Sequence, residues 1–138
     1  MMMKKAIYPI LLLVTIFAAC SKDKDKAPDG ADKSAEVSQT YQGKLSVGSV
    51  DFNNTKIKVT RKAANEVVIE PVSGQEYGTF TALTFSNFIY SEATKQYASS
   101  SGSSRVVIFS FQSSGAIEMS LVNNFQDAMF KFEGVNVK

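Results

Sequence analysis

Few side chains in this sequence are equipped for chemistry: one thiol at Cys20, three tyrosines (Tyr77, Tyr90 and Tyr97) at loop-like or strand-end positions, and the carboxylate pairings Asp51 with Glu70 and Glu118 with Glu133. There is no histidine and only one cysteine. The commonest general base is therefore missing, and histidine-dependent triads, zinc sites and an internal disulfide are excluded. Serines are abundant, but no Gly-x-Ser-x-Gly elbow exposes one as a nucleophile. Glycoside cleavage needs two acids flanking one bond. Nothing in the spacing of the two pairings enforces that, and each acid falls in a turn or at an outward strand position, which points to a surface role. The three tyrosines have two readings: they stack on a sugar or other flat ligand, or they cover the mouth of a β body. Covering is favoured, because aromatics pack cores and rims more often than they bind ligands. No metal or cofactor is expected, and the chain is not expected to be an enzyme.

The lone thiol is explained by its surroundings. Lys4 and Lys5 give a charged start, Ile7 to Phe17 is dominated by Ile, Leu and Val, and Ala18-Ala19 precede Cys20. Charge, apolar run and small residues in that order make a secretory signal over 1–19. The run of about 13 residues reaches about 20 Å as a helix, short of the roughly 30 Å of a hydrocarbon core. Phe17-Ala18-Ala19-Cys20 resembles the lipobox of bacterial lipoproteins, in which small residues precede a cysteine that accepts diacylglycerol before the signal is removed; Phe17 stands where that motif usually has Leu, Val or Ile. The resemblance implies lipid attachment at Cys20 and a membrane partner held through the anchor. The bland alternative is an incidental thiol ending a membrane helix. Several acyl chains, at about 0.8 kcal/mol per buried methylene, make a stable anchor where one does not.

Residues 20–38 read as a flexible tether. Ser21 to Gly30 alternates Lys with Asp and adds Pro28 and Gly30, and no aliphatic larger than Ala occurs before Val37. Such a stretch buries too little surface to offset its ordering entropy. The charge run behind Cys20 also resembles the tag that sends some Bacteroidetes lipoproteins to the outer face of the outer membrane, and it reads equally as a solvated linker without an address. The expected location is the cell envelope, lipid-anchored at the outer membrane, with the face left open. Without Lys4 and Lys5, 13 basic groups balance 13 acidic ones, so no nucleic-acid partner is expected.

A single domain is expected over 39–138. Tyr41, Gly43, Leu45 and Val47 alternate with Gln42, Lys44 and Ser46, the period of a half-buried strand. A turn is expected around Asp51 to Asn54, with Asn53-Asn54-Thr55 serving it. A second strand follows with Ile57 and Val59, and a third over Val67 to Ile69 ends at Pro71. Thr79 to Tyr90 reads as one long strand or two joined by a bulge, and the Ser- and Gly-rich Ala98 to Ser104 as a loop. Arg105 to Gln112 is strongly β-prone, Ser113-Ser114-Gly115 looks like a hairpin turn into Ala116 to Val122, and Met129 to Val137 gives a last strand. No helical periodicity persists outside the signal. The pattern predicts an all-β antiparallel meander barrel of about eight strands, with a β-sandwich as the alternative.

Thr40-Tyr41-Gln42-Gly43-Lys44-Leu45-Ser46-Val47 and Phe130-Lys131-Phe132-Glu133-Gly134 resemble the first and last strands of the calycin-like (lipocalin-like) domains carried by many Bacteroidetes lipoproteins. The resemblance implies a small antiparallel barrel anchored outside the cytoplasm and brings no catalytic residues. Two functional classes stay open: a protein-interaction, inhibitor or structural module with a filled core, and a binding protein for a small apolar ligand or a glycan at the interior or rim. About eight strands leave an interior just wide enough for either, and the large set of inward phenylalanines favours the filled core.

Overall fold

A computed structural model of the chain describes residues 28–74, 81–125 and 128–138. The signal over 1–19, Cys20, and Tyr77 lie outside them. The described chain is all β: β1 (Thr40–Val47), β2 (Val50–Ala63), β3 (Glu66–Pro71), β4 (Leu83–Phe85), β5 (Ile89–Ser91), β6 (Gln96–Ser101), β7 (Arg105–Phe111), β8 (Ile117–Phe125) and β9 (Ala128–Asn136). They form one antiparallel sheet in the order β4-β3-β2-β1-β9-β8-β7-β6-β5, which curls into a half-barrel. The outermost strands, β4 and β5, are neighbours in sequence. The stretch expected as one long or two bulged strands is thus a broken one: its first part pairs with β3, residues 86–88 break it, and its second part pairs with β6.

Alternation decides which side chains turn inward. Tyr41 and Leu45 on β1, Ile57 and Val59 on β2, Val67 and Ile69 on β3, Val107 and Phe109 on β7, Met119 and Leu121 on β8, and Phe130 and Phe132 on β9 all belong to one buried cluster. The aromatic rings in it touch: Phe88 stacks on Tyr97 with centroids 4.5 Å apart, and Phe109 lies 5.6 Å from Tyr41 and 6.0 Å from Phe88. Each large side chain so buried contributes about 1.5 to 3 kcal/mol relative to an exposed one.

Two turns fall elsewhere than expected. The chain reverses between β1 and β2 at Gly48, whose φ of +60° suits glycine, and β2 begins at Val50. Asn53-Asn54 is no hairpin turn but a bulge inside β2: Gly43 faces Thr55 while Leu45 faces Phe52, and Asn54 takes up the irregularity with a φ of +58°. The Ser-rich stretch expected as a loop is strand β6. Its inward positions are Tyr97 and Ser99, and it pairs with β7 from Gln96↔Ser110 to Ser101↔Arg105. Pairing with the β-prone β7 outweighs the weak propensity of serine for strands.

The folded body also begins earlier than residue 39. Of the expected tether, residues 28–38 form a strap across one end of the barrel, with a turn at 34–37 that drives Val37 into the core. Val37 N donates to Lys33 O, and the Tyr41 hydroxyl donates to Val37 O at 3.0 Å. One buried valine and a set of hydrogen bonds order a segment whose composition alone reads as coil.

Candidate functional site at the strapped end

The strap crosses the end of the barrel that carries the β2–β3 turn at 64–65, the β5–β6 turn at 92–95, the β7–β8 turn at 112–116 and the end of β9. Each attachment has a local cause. Gly30 N donates to Tyr90 O at 2.9 Å and so occupies an edge carbonyl of β5, while the Asp29 carboxylate accepts from Glu92 N at 2.7 Å. Asp32 is the centre. Its Oδ1 accepts from Ser34 N (3.0 Å), Ser34 Oγ (2.6 Å), Asn65 N (3.1 Å) and the Tyr97 hydroxyl (3.3 Å), and its Oδ2 faces Arg61 Nη2 at 3.4 Å. Arg61 Nε donates to Ser34 Oγ, and the Tyr97 hydroxyl donates to Asn65 Oδ1 at 2.8 Å. Asn65 sits in the left-handed region with φ of +54°, a conformation asparagine tolerates in a tight turn.

The donors converging on Asp32, first among them the Ser34 hydroxyl and then the Ser34 backbone N–H, hold its carboxyl well below the usual carboxylate range. Burial first, and then the Asp32 carboxylate, pushes the Tyr97 phenol above its ordinary value, and burial does the same to Tyr41. The cluster is a carboxylate saturated with donors beside a phenol kept neutral. Both states suit a fastening.

Tyr97 is fully buried in the core, at the second position of β6. Tyr90, 4% exposed, lies at the strapped end: its hydroxyl donates to Glu92 Oε2, and its ring meets Phe111 edge-on at 5.9 Å. Lys33 Nζ roofs both rings, 5.2 Å from the Tyr90 centroid and 5.6 Å from that of Phe111, and is itself paired with Glu36 at 2.6 Å. Outside this roof is a shallow hollow of about 300 Å³ lined by Lys33, Tyr90, Lys95, Phe111, Gln112 and Ser113. The fold therefore separates the three tyrosines weighed in the sequence: one ring is core, one lies under a lysine, and Tyr77 lies outside the described residues.

Of the carboxylate pairings, Glu118 and Glu133 do come onto one surface. They flank an outer hollow of about 340 Å³ over β8 and β9. Glu133 is more than half exposed, and Lys131, 2.8 Å away, holds its carboxyl below the usual range. Acid catalysis of glycoside cleavage requires a carboxyl raised by a dry environment, the opposite perturbation. Asp51 faces Lys44 at 4.0 Å near the start of β2, while Glu70 is paired in register with Lys58 further along that strand.

The residues that organise this end, Asp32, Ser34, Arg61 and Asn65, were not singled out in the sequence. The available signal was Asp32-Lys33-Ser34, a spacing at which an aspartate caps the backbone two residues on. The partner Asn65 lies 33 residues away and carries no such mark. No protein-family model, no curated protein and no solved structure matches the chain.

Proposed function

We propose that this chain is a lipid-anchored protein of the cell envelope whose half-barrel acts as a packed protein-interaction, inhibitor or structural module, with no catalytic role. The observation that carries the second half is the filled interior. Inward side chains from every strand meet in one cluster, and among the described residues every buried side-chain nitrogen and oxygen has a hydrogen-bond partner. A lumen waiting for a small ligand would leave space and polar groups aimed into it. Supporting the first half, Cys20 is the only cysteine of the sequence and it follows a signal-like run. The curled antiparallel sheet is compatible with the calycin-like resemblance of the first and last strands.

The rim-binding alternative rests on the hollow beside Tyr90 and Phe111. Lys33 already occupies the faces a sugar would stack on, so the packed module is the better account.

Growth of the host with an alkyne fatty acid tests the anchor: the wild-type chain incorporates it and Cys20→Ala does not. Equal labelling of both would contradict the proposal. Native mass spectrometry of protein from the host tests the module, with no stoichiometric small ligand expected; a bound adduct would contradict it.

A further inference from the structure

Strands β4 and β5 behave as two halves of one broken strand. The first half pairs with β3 through Val67↔Phe85 and Ile69↔Leu83, and the second with β6 through Ile89↔Ala98 and Ser91↔Gln96. Both halves end the sheet order, so the other side of each belongs to no ladder among the described residues. Single hydrogen bonds stand there instead. Beside β4, the Ser99 hydroxyl of β6 donates to Ser86 O. Beside β5, Phe88 N donates to Asn65 O of the β2–β3 turn at 3.4 Å, and the Tyr97 hydroxyl donates to Asn65 Oδ1.

The strap occupies the gap beside β5 and is bonded to both of its walls. On the β5–β6 wall, Gly30 N donates to Tyr90 O at 2.9 Å and Glu92 N donates to the Asp29 carboxylate at 2.7 Å. With Phe88 N, these are alternate backbone positions along β5, the ones a neighbouring antiparallel strand would pair with. On the facing wall, Asp32 accepts from Asn65 N, and Arg61 Nε donates to Ser34 Oγ. Residues 29 to 34 therefore tie together two walls that otherwise share few direct bonds. The side chains buried at this corner are Val37, Phe88, Tyr90 and Tyr97, with Phe88 stacked on Tyr97.

We propose that the strap is a clasp, and that the strap, residues 86–88 and β5 open together as one unit while the rest of the sheet stays closed. The physical reason is unequal support. Strand β5 is three residues long and is paired with a strand on one side only, whereas β1, β7, β8 and β9 are paired on both. A segment with so few backbone bonds opens at lower free energy than the central strands, and the clasp supplies the bonds its free edge lacks. Opening uncovers the edge of β5 and the Phe88–Tyr97 stack, which makes this corner the way into the interior. The packed body is the fastened state.

The test cuts the clasp from one wall only. In the whole chain, Asp29→Ala with Gly30→Pro removes both bonds to the β5–β6 wall, because proline has no N–H and cannot adopt the φ of +77° found at Gly30, while Asp32, Ser34 and Val37 are untouched. Native-state hydrogen exchange is read residue by residue by NMR. The amides of Phe88, Ile89 and Ser91, none of them bonded to a substituted residue, are expected to exchange at least about 10-fold faster, while those of Val107, Leu121 and Phe132 keep wild-type rates. Acceleration confined to the strap and Glu92 would show a passive cover. Equal acceleration at every amide would show that no separate unit exists, and either result would overturn the proposal.

Discussion

Gly43 of β1 and Gly134 of β9 stand directly opposite each other, at the point where the first and last strands of the barrel are joined. A Cβ on Gly43 would overlap the backbone of Glu133 and Gly134, and one on Gly134 would come within 2.6 Å of Phe132 Cζ and 2.7 Å of Gln42 O. The β2 bulge lies opposite the same stretch of β1, and a bulge increases local strand twist. The two glycines let the backbones approach closely enough for the sheet to curl. Gly43→Ala is expected to cost about 3 kcal/mol or to prevent folding, and Gly134→Ala about 2 kcal/mol, as overpacking does in a close-packed interior. Denaturant midpoints measure both; an unchanged midpoint in Gly43→Ala would contradict the close approach.

Asp32 makes the strap sensitive to acid. Its folded-state value is depressed, so the stability it contributes is present above the ordinary carboxylate value of about 3.9 and is lost as pH falls below that toward the folded-state value. About a third of its side chain remains exposed, which limits the effect. Asp32→Ala is expected to cost about 1 kcal/mol at neutral pH, and to flatten the loss of stability between neutrality and pH 3. Hydrogen exchange should localise the change to Ser34, Val37 and Asn65 N–H. A variant with the wild-type acid profile would show that Asp32 does not fasten the strap.

Tyr97 acts in the opposite pH range. Its phenol is raised, so its contribution is complete below the ordinary tyrosine value of about 10 and disappears as pH climbs through the folded-state value. Absorbance near 295 nm is therefore expected to show that Tyr41 and Tyr97 ionise only with alkaline unfolding. Tyr97→Phe removes the bonds to Asn65 and Asp32 at a cost of about 1 kcal/mol while keeping the stack on Phe88.

The alternation of Tyr41, Leu45, Ile57, Val59, Val107 and Phe109 made the all-β class and much of the core legible, because a two-residue period needs no knowledge of the partner strand. The glycines of the two resemblance motifs were legible as residues but not as an opposed pair. That relation joins positions 91 residues apart, and only the pairing of β1 with β9 reveals it. Strand β6 and the strap were misread for one reason: serine-rich and charged segments look like coil until a neighbouring strand or a turn supplies their hydrogen bonds. Asn53-Asn54 shows the converse, since turn-forming residues within a long strand serve equally well as a bulge.

Ile89 and Phe109 separate surface from core. Ile89 is 70% exposed beside an outer hollow on β5 to β7, whereas Phe109 is wholly buried among aromatic rings. Ile89→Lys is expected to leave stability within about 0.5 kcal/mol of the wild type, and Phe109→Ala to cost about 3 to 5 kcal/mol. Thermal melts of the two variants side by side measure the difference, and a mild Phe109→Ala would mean that the interior is not filled as described.

The most direct measurement is the mass of the mature N-terminus in protein taken from the host's envelope. The account predicts an N-terminal residue that is Cys20 and carries acyl groups. A chain that still begins at Met1, or one cut elsewhere with a bare Cys20 thiol, would contradict it.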